Sequence, residues 1–200
     1  PALRLDECDA ETEGSIGYLL EQTLGNVLAA RGIEGSVASL ITQVVVDPND
    51  AAFGTPTKPI GPFYRFEEAL ERKRKLGWEM VEDSGRGWRR VVPSPRPLEV
   101  LELPAIRAGL AAAVIVIAAG GGGIPVVRRE GRLAGIEAVI DKDRVSALLA
   151  RNLDAHLLLF STGVEQVYWH YGRPDQRPLD TLTWEEAQRY LNEGEFPAGS

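Results

Sequence analysis

AVIVIAAGGGGIPVVRREGRLAGIEAVIDKDRVSALLAR, residues 113–151, sets the terms for the whole chain. Its apolar run, 113–119, has the length and β-branched content of a buried strand. Four glycines, 120–123, follow directly, and Ile124-Pro125-Val126-Val127 continues as a second extended segment. Asp141-Lys142-Asp143 then stands immediately before a helical pattern over 144–151. A glycine run lets backbone amides come close to a ligand, and a lysine between two carboxylates at a helix start is a held cation. These are parts of a phosphate-handling site.

A strand followed by glycines also opens a dinucleotide-binding motif, but that motif needs a helix to begin at its third glycine. The extended segment 124–127 excludes it, and there is no Gly-Lys-Ser/Thr of the phosphate-loop type. Two readings of the glycines stay open: backbone lining for a small substrate, or a bare turn. Asp141 or Asp143 can cap the following helix. Lys142 is less ordinary, because a cation early in a helix opposes the macrodipole and an anionic ligand there would offset the cost. Phosphoryl transfer needs cations on the transferring oxygens and something to hold those cations in place.

Working outward, residues 13–31 place Ile16, Leu19, Leu20, Leu24, Val27 and Leu28 on one helical face, with Gly32 at the C-terminal cap. Gly14, Gly17 and Gly25 within that helix suggest close packing against another helix. The run 37–46 predicts one strand buried on both faces, as in a parallel sheet. Residues 53–97 change character: prolines at 56, 59, 62, 93, 95 and 97 surround a charged helix over 66–76 and strands over 78–82 and 88–92, joined by a loop over 83–87. This predicts a small protruding subdomain, with Lys58 in its proline-stiffened entry. A helix over 101–110, strands over 156–161 and 167–170, and a helix over 184–191 with a Thr183–Glu186 capping box complete the pattern. Strands separated by helices predict an α/β layered domain made of 1–52 and 98–200, with 53–97 as the excursion.

The composition is that of an ordinary globular chain, 44% hydrophobic and 26% charged. A net charge of −7 argues against sequence-independent nucleic-acid binding. A single cysteine excludes an intrachain disulfide and fits a cytosolic protein. Cys8 has no histidine near it and reads as structural. His156 and His170 with one cysteine make no zinc site. The apolar run 110–127 is broken by glycines and a proline and does not read as a membrane span. Glu185 and Glu186 read as a solvated helix face. The chain lacks an initiator Met, opens in a proline-led loop and stops after Pro-Ala-Gly, so it is expected to be a piece of a longer protein.

Several stretches together resemble carbamate kinase, of the amino acid kinase family: EGSIGYLLEQTL (13–24), TQVVVDPNDAAFGTPTKPIGPFY (42–64), EDSGRGWRRVVPSPRP (82–97), IAAGGGGIPVV (117–127), GIEAVIDKD (135–143) and YGRPDQRPLDTLTWEEAQRYLNEGEFPAGS (171–200). The resemblance implies a three-layer α/β/α sandwich with an open, mainly parallel sheet, the 53–97 excursion closing over the site as a lid. It implies reversible phosphoryl transfer between ATP and carbamate, giving ADP and carbamoyl phosphate, with Mg²⁺, in a cytoplasmic homodimer serving arginine breakdown. The helix 13–31 is the implied dimer surface. Lys142 matches a lysine on the transferred phosphoryl, Asp143 the aspartate that organises the site lysines, and Lys58 the subdomain lysine that reaches the phosphates. Gly120 and Gly121 lie beside the substrate. Thr162, Tyr171, Gly172 and Pro174 fall on the nucleotide side. The family's Gly-Gly-Asn loop, its His-Gly-Asn-Gly-Pro loop and its Met-Gly-Pro-Lys segment are absent from these residues, so the chain by itself is expected to be inactive. The alternatives are another acyl-phosphate-forming amino acid kinase and a non-catalytic dimerising module.

Overall fold

A computed structural model describes residues 3–83 and 85–196. The loop position Ser84 and the terminal Pro-Ala-Gly turn lie outside the described residues. The chain divides into two compact units, Pro1–Leu158 and Leu159–Ser200.

The first unit runs α1 (Leu5–Ala30), β1 (Ser36–Leu40), β2 (Gln43–Val46), β3 (Lys58–Tyr64), α2 (Phe66–Leu76), β4 (Glu79–Glu82), β5 (Trp88–Val92), β6 (Pro97–Val100), α3 (Leu103–Ala111), β7 (Val114–Ala118), β8 (Ile124–Arg129), β9 (Arg132–Gly135) and α4 (Lys142–Asn152). The pairs β1–β7 and β2–β8 are parallel, and antiparallel β6 and β9 flank the second pair. Side chains alternate across a strand, and β2 shows what each face carries. Val44 and Val46 join Val100, Ile106, Val127, Ile140, Val145 and Leu148, the core under α3 and α4. Val45 points the other way, to Ile124, Val126 and Ala10 of α1. Helices therefore cover both faces of the strands, which is the α/β/α layering expected. Each fully buried aliphatic side chain contributes about 1.5–3 kcal/mol.

Two expectations need correction. The run 37–46 is not one strand: it breaks at Ile41-Thr42 into β1 and β2, which belong to different ladders. At Thr42 the amide goes to the Glu13 side chain and not to a strand, while the carbonyl already serves the β2–β8 side by accepting from the Ile124 amide, so the β1–β7 ladder does not continue through it. The run 156–161 is not a strand; Leu157, Leu159 and Phe160 are exposed. Apolar composition calls for cover, but a strand also needs a neighbour to pair with, and none of the described residues pairs with this run.

Helix α1 also differs in orientation. Its buried residues are Glu13 and Gly17, while Ile16, Leu19, Leu20 and Val27 of the predicted core face are exposed. Gly17 is needed for close approach, but to a strand: a Cβ there would stand 3.0 Å from Ser39 Oγ of β1. The segment 58–92 forms its own antiparallel sheet, β3–β5–β4, with α2 against it. Pro59 and Pro62 fit because β3 is an edge strand. Arg72 lies 4.2 Å over Tyr64, and Met80, Val91 and Ala69 are buried. Among the described residues no helix is long and apolar enough to cross a membrane.

The second unit pairs β10 (Val167–Trp169) with β11 (Arg177–Leu179) and adds α5 (Trp184–Asn192). The predicted capping box closes α5: Thr183 Oγ1 accepts from the Glu186 amide and Glu186 Oε2 accepts from the Thr183 amide.

Candidate active site

The glycine run leaves β7 as a tight turn, not as the cap of a long helix. Ala119 has φ +54, and Gly121, Gly122 and Gly123 all have positive φ. The four glycines have different reasons. A Cβ on Gly122 would stand 2.1 Å from the Ile140 carbonyl oxygen, and one on Gly123 would meet Val44 Cγ2 at 2.4 Å. These two are required by packing. A Cβ on Gly121 would meet nothing within 4 Å, and Gly120 faces only Glu13. Gly120 and Gly121 line a cleft with Thr12, Glu13, Ser39 and Leu40.

The contact of Gly122 with Ile140 brings the turn to the start of α4. Asp141 is the N-cap there: its Oδ1 accepts from the Asp143 amide at 3.0 Å and the Arg144 amide at 3.4 Å. Its other oxygen, Oδ2, takes the Lys58 ammonium at 2.6 Å. Lys58 opens β3, so this ion pair ties the three-stranded sheet to α4 across 83 residues of sequence. The two side chains are only 31% and 26% exposed. Burial alone raises the Asp141 carboxyl; the Lys58 ammonium and the two helix amides outweigh it, so the net shift is downward.

Lys142, the first residue of α4, turns its Nζ to Asp143 Oδ1 at 2.7 Å. Both side chains are more than half exposed, at 64% and 54%. An ion pair so solvated contributes about 1 kcal/mol at most, so an incoming phosphate can take Lys142 from Asp143 at little cost. Two lysines thus stand at one helix start, each on its own carboxylate. Asp143 holds Lys142, and Lys58 is held by Asp141, a residue to which the sequence assigned only a capping role. The doubled acid in Asp-Lys-Asp was the available signal. A helix N-terminus carrying two cations beside a glycine turn that borders a cleft is chemically an anion site.

Sequence reasoning also passed over Glu13 and Thr42, which lie behind the turn. Thr42 Oγ1 accepts from the Ala119 amide at 2.9 Å. Glu13 accepts from the Thr42 amide at 2.7 Å. Burial first, then Glu13, Asp6 and Glu137, push Asp9 up to about 7. Burial first, then Glu11, Asp9 and other acids, raise the Cys8 thiol, which suits an inert residue.

In the second unit Thr162 donates Oγ1–H to the Val164 carbonyl at 2.7 Å, a local turn. Gly172, at φ +78, gives its amide to Gln176 Oε1. Pro174 sits inside the turn closed by Gln176 N to Arg173 O. Tyr171 is exposed, with its ring 5.9 Å from that of Tyr168. His170 bonds Asp175 at 2.6 Å and stacks on Trp169.

Comparison with known proteins shows the family of the chain. The model of the amino acid kinase family matches residues 13–200. Carbamate kinase 2 of Enterococcus faecalis is 50% identical over 200 residues, covering all of this chain and 64% of the relative. The structure of carbamate kinase from Giardia lamblia bound to citric acid superposes with a TM-score of 0.92 at 39% identity, covering all of this chain and 63% of that one. The same enzyme bound to AMP-PNP matches with a TM-score of 0.87 at 41% identity, again over all of this chain and 64% of that one. The chain spans about 64% of the length of the curated relatives it matches.

Proposed function

The chain belongs to the amino acid kinase family, and from that premise we propose that the whole protein is a carbamate kinase. It transfers a phosphoryl group reversibly between ATP and carbamate, giving ADP and carbamoyl phosphate. The observation that carries the reading is the pair of lysines at the start of α4, Lys58 on Asp141 at 2.6 Å and Lys142 on Asp143 at 2.7 Å. A carbamate oxygen attacks the terminal phosphorus as the bond from that phosphorus to the ADP oxygen breaks. The nucleophile is already an anion and no proton changes hands, so the site needs cations and oriented amides, not a base. Lys142 takes the transferring oxygens, Asp143 aligns it, and Lys58 adds the second cation. Gly120 and Gly121, which line the cleft, lie beside the small acceptor. The close likeness to carbamate kinases, one of them bound to AMP-PNP, supports this substrate pair over an amino acid acceptor.

In the same proposal, residues 53–97 are a lid that brings Lys58 to the site, and 1–52 with 98–200 supply the main domain. Thr162, Tyr171, Gly172 and Pro174 border the nucleotide. Asp141 and Asp143 are each taken up by a lysine, and the described residues hold no group of three or more His, Cys, Asp or Glu suited to a metal. These residues do not fit a protein-held Mg²⁺, and the metal enters as part of the nucleotide substrate. The exposed Ile16, Tyr18, Leu19, Leu20 and Val27 of α1 suit a homodimer interface. A cytoplasmic role in arginine breakdown, running toward ATP, completes the reading.

The test is ATP formation from ADP and carbamoyl phosphate by the whole protein. Lys142→Ala should lower turnover by about 10²–10³-fold, the scale for losing one preorganised charge, and leave stability within about 1 kcal/mol, as befits an exposed pair. Activity with an amino acid acyl phosphate and none with carbamoyl phosphate would favour the alternative acceptor. No activity with either would favour a non-catalytic module.

A further inference from the structure

Behind the glycine turn stands a buried acid that the phosphoryl chemistry does not use. Glu13 is 6% exposed, and its Oε2 accepts the Thr42 amide at 2.7 Å. Thr42 is fully buried and ties both ends of the turn. Its hydroxyl oxygen accepts from the Ala119 amide at 2.9 Å, and its carbonyl accepts from the Ile124 amide at 2.8 Å. One side chain, through one residue, holds the entry and the exit of the loop carrying Gly120 and Gly121. Ala119 needs such a hold, because φ +54 is strained for a residue with a Cβ.

The second carboxyl oxygen, Oε1, is buried without a well-formed hydrogen bond, although the Gly120 amide acts on the carboxyl from the turn. It borders the cleft lined by Gly120 and Gly121. The charged groups acting on the pair Glu13 and Asp9 are all acids: Asp9 one turn earlier on α1 faces Glu13, Glu102 faces it from the start of α3, and Asp6 and Glu137 stand beyond Asp9. Burial is the largest influence on the Glu13 carboxyl; the Thr42 amide pulls against it, Glu102 adds to it, the Gly120 amide pulls back, and the balance stands at about 7.

We propose that Glu13 is a positioning residue: through Thr42 it holds the 119–124 loop so that Gly120 and Gly121 line the cleft for the acyl substrate. The identity of that substrate rests on the kinase reading above; the tether does not. An ionised Glu13 is a largely buried charge, and the donors acting on it are the Thr42 and Gly120 amides. Ionisation strengthens its hold on the Gly120 amide, which already acts on the Glu13 carboxyl, and leaves that amide less free for the substrate. Acyl-substrate binding therefore weakens as pH rises through about 7.

The experiment compares Glu13→Ala, Glu13→Gln and Thr42→Val in the whole protein, by two readouts. Amide hydrogen exchange at Ala119 and Ile124 should quicken about tenfold in Glu13→Ala, the scale of one lost hydrogen bond. Glu13→Gln keeps an acceptor of the same shape and should recover most of that protection. Thr42→Val, which removes only the hydroxyl, should release Ala119 and spare Ile124, and it decides the matter if the alanine variant fails to fold. In the second readout, KM for carbamoyl phosphate should rise with pH across neutrality in the wild type and not in Glu13→Gln; the ratio of the two cancels any effect of pH on the substrate itself. Exchange in Glu13→Gln as fast as in Glu13→Ala, or an unaltered pH profile in Glu13→Gln, overturns the proposal. If the wild type does not act on carbamoyl phosphate at all, the kinase reading fails and the exchange readout alone judges the tether.

Discussion

Replacing Asp141 by Asn separates two roles that one carboxylate performs. Oδ1 caps α4 through the Asp143 and Arg144 amides, and Oδ2 holds the Lys58 ammonium at 2.6 Å. Asn is as good an N-cap as Asp, so Asp141→Asn keeps the cap and removes the charge. At that separation the gross attraction is about 6 kcal/mol for an effective dielectric of 20. Most of it is offset by desolvation, because the side chains are 31% and 26% exposed. The downward shift of the Asp141 carboxyl says that the balance is still favourable. A net loss of about 1 kcal/mol follows for Asn, and about 2 kcal/mol for Ala, which loses the cap as well. A lysine that remains but is no longer aimed should cost about 10–100-fold in turnover. Denaturant unfolding of wild type, Asp141→Asn, Asp141→Ala and Lys58→Ala, with ATP formation assayed on each in the whole protein, gives all the terms. Asp141→Asn and Lys58→Ala should not be additive in either readout. The sign with pH is set by the depressed carboxyl: the pair's contribution is present above the ordinary aspartate range near 3.9 and is lost as pH falls through the lowered value. Wild-type turnover in Asp141→Asn, at the expected stability loss, would reduce the ion pair to a structural contact and refute the assignment of Lys58.

Three further outcomes are expected. Gly122→Ala should cost about 3 kcal/mol or more, since its Cβ would lie 2.1 Å from the Ile140 carbonyl at φ +120; Gly121→Ala, at φ +70 in open space, should cost about 1 kcal/mol in thermal unfolding and chiefly raise KM for the acyl substrate. Glu13 should make stability fall as pH rises, because the folded carboxyl keeps its proton to about 7 while the unfolded chain gives it up near 4.5; its share is about 3 kcal/mol, and in urea titrations of Glu13→Gln the fall should shrink to the part left by Asp9, whose carboxyl burial also holds up at about 7. Leu19→Lys, on the exposed face of α1, should convert the proposed dimer to monomer in sedimentation; an unchanged species would remove α1 from the interface.

Much of the framework was legible because local patterns carried it. The charged helix over 66–76, the strand over 88–92 and the Thr183–Glu186 capping box stand where periodicity and cap chemistry predicted them. The failures share a cause. Residues 156–161 and the apolar face of α1 are hydrophobic enough to ask for cover, but hydrophobicity does not name the partner. The break at Thr42 depends on Glu13, 29 residues earlier, and no window of sequence contains both ends of that bond.

By itself the sequence determined the chemistry available. A glycine run that continues as a strand excluded the dinucleotide motif, and Asp-Lys-Asp before a helix placed a held cation at an N-terminus. Only the tertiary structure decided which glycines are free and which carboxylate holds which lysine. Gly122 and Gly123 are consumed by packing against Ile140 and Val44, leaving Gly120 and Gly121 open to the cleft. Lys58 reaches Asp141 because the β3–β5–β4 sheet carries it there, across 83 residues. Residue types and spacings specify what a local segment can do; contacts made across the fold specify which of those capacities remain unspent.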